Sequence, residues 1–263
     1  MATTSLEEFA VVFKRHIGDG GQVVFFLGAG CSRRAGIPTA DEMSALWAEE
    51  LGCPPGAFAV MAERRFATVT VRGKAFRDLC AGTKMPTDGH RALAGMYAEF
   101  PAQMRLCLTT NFDGLIEAAL SQRNVQDGNR RFHRAHFTHT EETAKQLRQH
   151  LEQHEVSSVL KLHGDALSAE SIASITMHEL PLMLAEPVRA YFHKHPTMLV
   201  FVGYSGRDAN IVPWLRGIDV DVGSVFWCSN KEPDSYVAPL LREKKYTRVA
   251  CDDFDAIMVE LGM

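Results

Sequence analysis

Short apolar runs alternate along this chain with segments in which apolar residues recur every three or four positions. The runs cover residues 22–27, 105–109, 156–162, 198–203, 223–228 and 247–251. Several of them, with VVFFLG and LVFVGY the clearest, are continuously apolar, as strands buried on both faces of a sheet are. Strands of this kind in alternation with helices predict a parallel-sheet α/β fold.

Four segments carry helical patterns, namely residues 41–51, 112–121, 187–195 and 252–261. Residues 53–101 contain no convincing strand and are predicted to form a helical insertion. Residues 122–155 are polar and are predicted to be a loop with one short helix. We therefore expect one domain over residues 1–263. It would have a Rossmann-like parallel-sheet core (about 1–52 and 102–263) with helices on both faces, and a small helical lobe (about 53–101).

Composition narrows the class of protein. The 263 residues are 46% hydrophobic and 23% charged, which is typical of a globular chain. Lys and Arg total 28 against 32 Asp and Glu, so the basic excess of a nucleic-acid binder is missing. The N-terminus has no signal-peptide pattern, and no apolar run approaches the ~20 residues of a membrane span. We expect a cytoplasmic protein that binds neither nucleic acid directly nor a membrane.

The cysteine pattern argues against a metal site. The six cysteines stand far apart, at positions 31, 53, 80, 107, 228 and 251, without a C-x-x-C pair. This spacing fits neither a zinc module nor a disulfide framework. His133, His136 and His139 could be considered as metal ligands, but no nearby cysteine or paired carboxylate completes a site. The sequence therefore predicts no metal.

A glycine-rich turn follows the first apolar run, in the segment FFLGAGCS, and GIP follows at residues 36–38. Glycines there allow the backbone to approach a pyrophosphate, whose charge the N–H groups at a helix start can bind. The alternative is a tight strand-to-helix turn in which Ser32 caps the helix. Cys31 at this position is interpreted as a small buried filler rather than an activated thiol.

Polar residues also follow other predicted strands, in the segments TTNFD, KLHGD, VGYSGRD and CSN. The carboxyl ends of parallel strands form the ligand crevice of an open α/β sheet. Asn111 offers a donor and an acceptor for a ribose hydroxyl or a water, and Asp113 offers a carboxylate, although either could simply cap a helix. His163 suits a general base, because imidazole titrates near neutral pH. Arg207 could bind phosphate or pair with a carboxylate.

The segments GAGCSRRAGIP, TTNFD, KLHGD, VGYSGRD and the late SN occur in the order of the sirtuin motif set. The chain therefore resembles the sirtuin superfamily, and within it the sirtuin-like domains of bacterial antiphage-defence systems, which hydrolyse NAD+ to nicotinamide and ADP-ribose. The resemblance implies roles for matching positions. The pyrophosphate site would include Gly28, Ala29, Gly30 and Ser32, with Thr110 also at the cofactor. Asn111 and Asp113 would contact the nicotinamide ribose and carboxamide, His163 would be the catalytic base, and Gly203, Ser205 and Asn230 would hold the adenosine half.

Two departures from the deacylating sirtuins argue against protein deacylation and leave cleavage of the nicotinamide–ribose bond as the expected reaction. Their four zinc-binding cysteines are missing here, and Thr39, Ala40 and Asp41 stand where they carry Asp-Phe-Arg. The resemblance thus implies an NAD+ glycohydrolase (NADase) that uses NAD as its substrate and needs no metal. The alternatives are an NAD-dependent protein deacylase and a non-catalytic sensor that binds NAD or ADP-ribose.

The resemblance also implies a way in which the activity is used. Unregulated NAD+ destruction would kill a cell, so we expect control by homo-oligomerisation or by a regulatory partner chain, such as a short Argonaute or a helicase-type ATPase. Depletion of NAD+ would then serve antiviral defence by abortive infection. This expectation rests on analogy with the family and not on particular residues.

Overall fold

The computed structural model describes residues 2–80, 84–127, 132–135, 141–152, 157–166, 182–208, 210–218 and 224–263. In these residues eight parallel strands form one sheet in the order β1-β8-β7-β6-β2-β3-β5-β4. The strands are β1 (Ala2–Thr4), β2 (Gln22–Leu27), β3 (Leu106–Thr109), β4 (Phe132–Ala135), β5 (Ser157–Lys161), β6 (Thr197–Val202), β7 (Val225–Cys228) and β8 (Thr247–Val249). The predicted parallel sheet is confirmed.

Helices connect the strands. They are α1 (Leu6–Gly18), α2 (Ala40–Leu51), α3 (Phe58–Arg65), α4 (Val69–Cys80), α5 (Asp88–Glu99), α6 (Leu115–Asp127), α7 (Glu141–Glu152), α8 (Leu182–Lys194), α9 (Ile211–Gly217), α10 (Ala238–Glu243) and α11 (Phe254–Gly262), with a 3₁₀ helix at Ala29–Ala35. Capping boxes begin α1, at Ser5 and Glu8, and α2, at Thr39 and Glu42. Across the described ranges, none of the helices combines the length and apolar character of a membrane span.

The central strand β2 shows how the core is layered. All six of its residues are buried, and successive side chains point to opposite faces of the sheet. Val24 and Phe26 pack into one core layer, together with residues of α7, α8, α9 and α10. Val23, Phe25 and Leu27 pack into the other, with α1, α5, α6 and α11. Helices therefore cover both faces, which confirms the Rossmann-like architecture.

Two predictions are wrong, and two elements near the N-terminus were not predicted. Strand β1 and helix α1 were not predicted, and 122–155 contains strand β4 and the full-length helix α7 instead of a loop with one short helix. Helix α7 is polar overall, but Leu147 and Leu151, four residues apart, are buried and anchor it to the core. Pro187 does not begin a helix, because α8 starts at Leu182 and contains this proline.

The predicted insertion 53–101 consists of helices α3, α4 and α5 in the described residues. Helices α3 and α4 join α2 in an aromatic cluster that is separate from the two main core layers. Helix α5 differs, because its Leu93 and Tyr97 are buried in the core layer shared with α1 and α11. The two-part division of the domain at residues 53 and 101 stays a prediction, and we refer to α2, α3 and α4 as the helical lobe.

Candidate functional site

The site lies where the strand order reverses. From β2 the chain proceeds outward on one side to β3 and the edge strand β4, comes back to β5 between them, and then crosses to place β6 on the other side of β2. The crevice outside the carboxyl ends of the strands at such a reversal is the usual ligand site of an open α/β sheet. The glycine-rich loop follows β2 at this point, and the other predicted site residues follow β3, β5, β6 and β7.

The glycines of this loop permit a close contact between two loops. The amide of Gly30 donates a 2.9 Å hydrogen bond to the carbonyl of Gly203, which follows β6. A Cβ atom on Gly28 would lie 2.6 Å from the Gly203 oxygen, and one on Gly30 would lie 2.8 Å from its Cα. Gly203 itself has a φ of +63°, which favours glycine. Packing alone thus requires these three glycines, and their contact with a pyrophosphate stays a prediction.

Cys31 and Ser32 at the start of the 3₁₀ helix are both buried. The Cys31 thiol donates to the carbonyl of Val202, and burial raises its pKa well above the usual value. A thiol of this kind is protonated and unreactive at neutral pH, which agrees with the interpretation of Cys31 as a filler. Ser32 does not cap the helix, because the N-cap position is Gly28.

Ser32 instead joins two predicted site residues. Its hydroxyl donates a 2.7 Å hydrogen bond to Asp113 Oδ2 and accepts one of 3.1 Å from Asn111 Nδ2. Asp113 Oδ1 accepts from the amide of Leu115, so this carboxylate also caps the start of α6. The capping alternative for Asp113 is therefore present, and its contact with the nicotinamide end of a ligand stays a prediction.

Two buried polar atoms in the site have no hydrogen-bond partner among the described residues. They are Asn111 Oδ1 and His163 Nε2, and these two residues are 5% and 7% exposed, respectively. The two residues follow β3 and β5, which are adjacent in the sheet. A buried acceptor or donor without a partner is costly, so such atoms in a crevice point to a ligand or a bound water.

Lys161 is a member of the site that the sequence analysis missed. This lysine ends β5, is fully buried, and forms ion pairs with Glu117 (3.1 Å) and Asp165 (3.6 Å). Its ammonium also donates to the carbonyls of Phe112 and Asp113. Lys161 thereby connects the loop that carries Asn111 to the strand that leads to His163. A charged residue inside the apolar run VLKLHG was the available signal.

The residues predicted for the adenosine half lie on the other side of β2. Ser205 and Asn230, after β6 and β7, are exposed. Asn230 Nδ2 donates a 3.0 Å hydrogen bond to Asp252. Arg207 pairs with two carboxylates, those of Asp41 and Asp234, so it follows the second of its two predicted alternatives.

Two further predicted cofactor residues, Thr110 and Ala29, lie next to β2. The Thr110 amide donates to the carbonyl of Leu27, and Ala29 begins the 3₁₀ helix. Thr110 therefore lies beside the end of β2, and Ala29 is part of the glycine-rich turn.

Within the described ranges, no group of three or more His, Cys, Asp or Glu side chains is arranged to hold a metal ion. The side chains of His133, His136 and His139 lie outside the described part, so the histidine series considered in the sequence is not tested.

With this geometry established, the chain can be compared with known proteins. Residues 105–250, more than half of the chain, match the SIR2-like domain family. The chain belongs to this family, within the sirtuin superfamily. The matched segment of this SIR2-like domain contains TTNFD, KLHGD and VGYSGRD, whereas the glycine-rich turn precedes it.

One curated relative matches only part of the chain. An NAD-dependent protein deacylase of Shewanella oneidensis is 37% identical over 107 residues, which is 38% of this SIR2-like chain and 41% of that protein. The alignment thus spans less than half the length of this curated relative.

Solved structures extend over nearly all of the chain. A Sir2 homologue–NAD complex superposes with a TM-score of 0.52 at 17% identity, over 99% of this chain and 94% of that one. A mutant Sir2 homologue–ADP-ribose complex gives 0.51 at 14% identity, over 95% and 94%. At identities this low, the superpositions show that the fold is shared.

Proposed function

We propose that this SIR2-like chain binds NAD+ in the crevice at β2 and hydrolyses its nicotinamide–ribose bond. The observation that carries the proposal is the pair of buried, unpartnered atoms Asn111 Oδ1 and His163 Nε2, in the part of the chain that the structure describes. Their strands are adjacent, and Asn111 binds Ser32 of the glycine-rich turn, which is of the kind that accommodates dinucleotides. The complexes of NAD and ADP-ribose with proteins of this fold support the choice of ligand.

Asn111 would orient the nicotinamide ribose. Its Nδ2 is already engaged with Ser32, which fixes the rotation of the amide and leaves Oδ1 as an acceptor. A ribose hydroxyl or the attacking water can donate to that oxygen. The side chain therefore needs no reorganisation when the substrate enters, which is the preorganisation that catalysis requires.

His163 would act as the general base. In the reaction, the bond between ribose C1′ and the pyridinium nitrogen breaks and its electron pair neutralises the nitrogen, so nicotinamide leaves uncharged. A water oxygen bonds to C1′, and His163 Nε2 accepts the water's proton, either directly or through a ribose hydroxyl. The products are nicotinamide, ADP-ribose and one proton.

Asp113 would serve the nicotinamide end. Both of its oxygens are held, one by Ser32 and the other by the Leu115 amide, so the carboxylate is fixed in place. A fixed negative charge near the ribose stabilises the cationic, oxocarbenium-like transition state, and Asp113 can also accept from the carboxamide. Gly28, Ala29, Gly30, Ser32 and Thr110 would bind the pyrophosphate side, and Gly203, Ser205 and Asn230 the adenosine side.

The test is chromatography of NAD+ incubated with the purified chain, with and without an acylated peptide. We expect nicotinamide and ADP-ribose without peptide, and a loss of about 10²–10⁴ in rate for His163→Ala. His16→Ala is the matched control, because His16 binds the Gln22 carbonyl at the opposite end of β2. Turnover by His163→Ala at the wild-type rate would overturn the assignment of the base.

Protein deacylation is the second candidate, because the curated relative from Shewanella is an NAD-dependent protein deacylase. The same experiment separates the two reactions. A deacylase releases nicotinamide only when the acylated peptide is present, and transfers the acyl group to ADP-ribose. A hydrolase releases it at the same rate with or without peptide.

We also propose that the activity is controlled by self-association or by a regulatory partner chain, and that it depletes NAD+ in antiphage defence. The support is physiological, since an unregulated NADase is toxic. Expression of wild-type and His163→Ala chains in bacteria, with NAD+ levels and phage infection measured, tests this proposal. Equal NAD+ levels during infection in both strains would contradict it.

A further inference from the structure

Three rings from separate elements are stacked at the site. The His163 ring centroid lies 6.2 Å from that of Phe112, with 27° between the ring planes. The Phe112 centroid in turn lies 5.1 Å from that of Phe76, with 26° between the planes. His163 follows β5, Phe112 follows β3, and Phe76 belongs to α4. The stack therefore connects the helical lobe to the proposed catalytic base.

Two other rings of the helical lobe pack against Phe76. It is 1% exposed, and its ring contacts Phe58 at 5.8 Å and Trp47 at 6.2 Å between centroids. Phe58 and Trp47 are stacked on each other at 5.4 Å. Phe76 is thus held by two neighbouring rings of the helical lobe, and it keeps one of them when the other is removed. It is the ring of this cluster that contacts Phe112.

The position of the Phe112 ring, in the middle of the stack, affects the other residues of the site. Phe112 lies in sequence between Asn111 and Asp113, so a displaced ring alters the backbone that presents both of these side chains. It also forms one wall of the space around His163, whose Nε2 lacks a partner among the described residues. A base must lie within hydrogen-bond reach of the proton that it accepts, and a displacement of 1 Å can cost about 100-fold in rate.

We propose that Phe76 is a positioning residue for His163 and acts through the ring of Phe112. The proposal rests on the proposed NAD+ hydrolysis for its kinetic readout. Its second readout, the environment of the His163 ring, is independent of any activity. Phe76 touches neither the proposed substrate nor the reacting atoms, and its effect is on the orientation of the imidazole.

The kinetic test compares Phe76→Leu and Phe76→Met with Phe58→Leu in the full chain. Phe58→Leu is the matched control, because it removes a ring from the same cluster but one that packs on Trp47 and Phe76. We expect both Phe76 variants to lower kcat by about 10- to 100-fold with KM within about twofold of wild type. Phe58→Leu should retain kcat within about twofold while it unfolds at lower urea concentration.

The structural test uses NMR signals of the His163 ring carbons and protons, assigned by their disappearance in His163→Gln. A stacked aromatic ring shifts these signals, so both Phe76 variants should move them and Phe58→Leu should leave them in place. Unchanged His163 signals and unchanged kcat in the Phe76 variants would overturn the proposal, as would equal changes in Phe58→Leu. If wild type shows no NAD+ turnover, the proposed function fails, and the His163 signals still decide the positioning role.

Discussion

The hydroxyl of Ser32 donates a 2.7 Å hydrogen bond to Asp113 across the carboxyl ends of the adjacent strands β2 and β3. Its oxygen simultaneously accepts from Asn111 at 3.1 Å. A hydroxyl is the smallest side-chain group that can donate and accept at once. One serine in the glycine-rich loop therefore orients both side chains that we assign to the nicotinamide ribose, and does so in a buried environment.

Ser32→Ala should damage both function and stability. The substitution removes the partner of Asp113 Oδ2 and of Asn111 Nδ2 in a buried site, at a cost of about 1–3 kcal/mol. We expect NAD+ turnover to fall about tenfold, since the Asn111 amide is free to rotate. The control is Ser44→Ala, which removes a buried hydroxyl that binds the Gly56 carbonyl in the lobe. Wild-type turnover in Ser32→Ala would contradict the orienting role.

Lys161→Met should destabilise the fold strongly. The variant leaves the carboxylates of Glu117 and Asp165 buried without their cation, and loss of one partner of a buried pair costs about 3–5 kcal/mol. Lys74→Met is the matched control, because Lys74 pairs with Asp78 on the exposed face of α4, where a pair contributes at most about 1 kcal/mol. Urea unfolding measures both. Similar midpoints for the two variants would show that the buried pairs are unimportant.

Gly203→Ala tests the contact between the two glycine loops. An added Cβ would lie 2.6 Å from the Cys31 amide nitrogen, and the φ of +63° is strained for alanine. We expect a loss of more than about 1 kcal/mol in the free energy of unfolding. Gly217→Ala, where a Cβ would meet nothing within 4 Å, should be neutral or stabilising. Thermal melting compares the two variants. A melting temperature of Gly203→Ala equal to that of wild type would contradict the close-packing explanation.

The sequence was informative where a local pattern determines the structure. All six predicted strands occur, with shifted ends, and the clearest of them are continuous apolar runs that only a sheet covered on both faces can bury. The positions of Asn111 and His163 at one edge followed from the same reasoning, since parallel strands end together. Strand β1 escaped prediction because it has only three residues and is mostly exposed at the edge of the sheet.

Contacts between distant segments could not be predicted in this way. Lys161 pairs with Glu117, which is 44 positions away in sequence, and Phe76 stacks on Phe112, which is 36 positions away. Only the tertiary packing of α4 and α6 brings these pairs together. The pattern of residues around Phe76 resembles that of any amphipathic helix. Helix α7 shows the same limit, because the burial of Leu147 and Leu151 depends on the helix α8 against which it packs.

His90 on α5 should make stability depend on pH. Burial is the main cause that lowers the pKa of His90 below the usual 6.5, and the positive charge of Arg91 lowers it further. The carboxylates of Asp113, Asp255 and Glu117 act in the opposite direction but do not cancel the shift. Its ring packs edge-on against Phe254. The unfolded chain therefore binds a proton at this side chain more readily than the folded chain. The contribution of His90 to the free energy of unfolding is therefore fully present above pH 6.5. It decreases as the pH falls below 6.5, by at most about 1.4 kcal/mol per pH unit.

The measurement is urea unfolding of wild type and His90→Gln at pH 8 and at pH 5.5. Glutamine does not titrate, so the variant should lose less stability on acidification than wild type, while the carboxylates contribute equally to both. His16→Gln provides the comparison for loss of a half-buried histidine that binds the Gln22 carbonyl at the start of β2. If wild type and His90→Gln lose the same stability between the two pH values, His90 is not the group that burial keeps neutral.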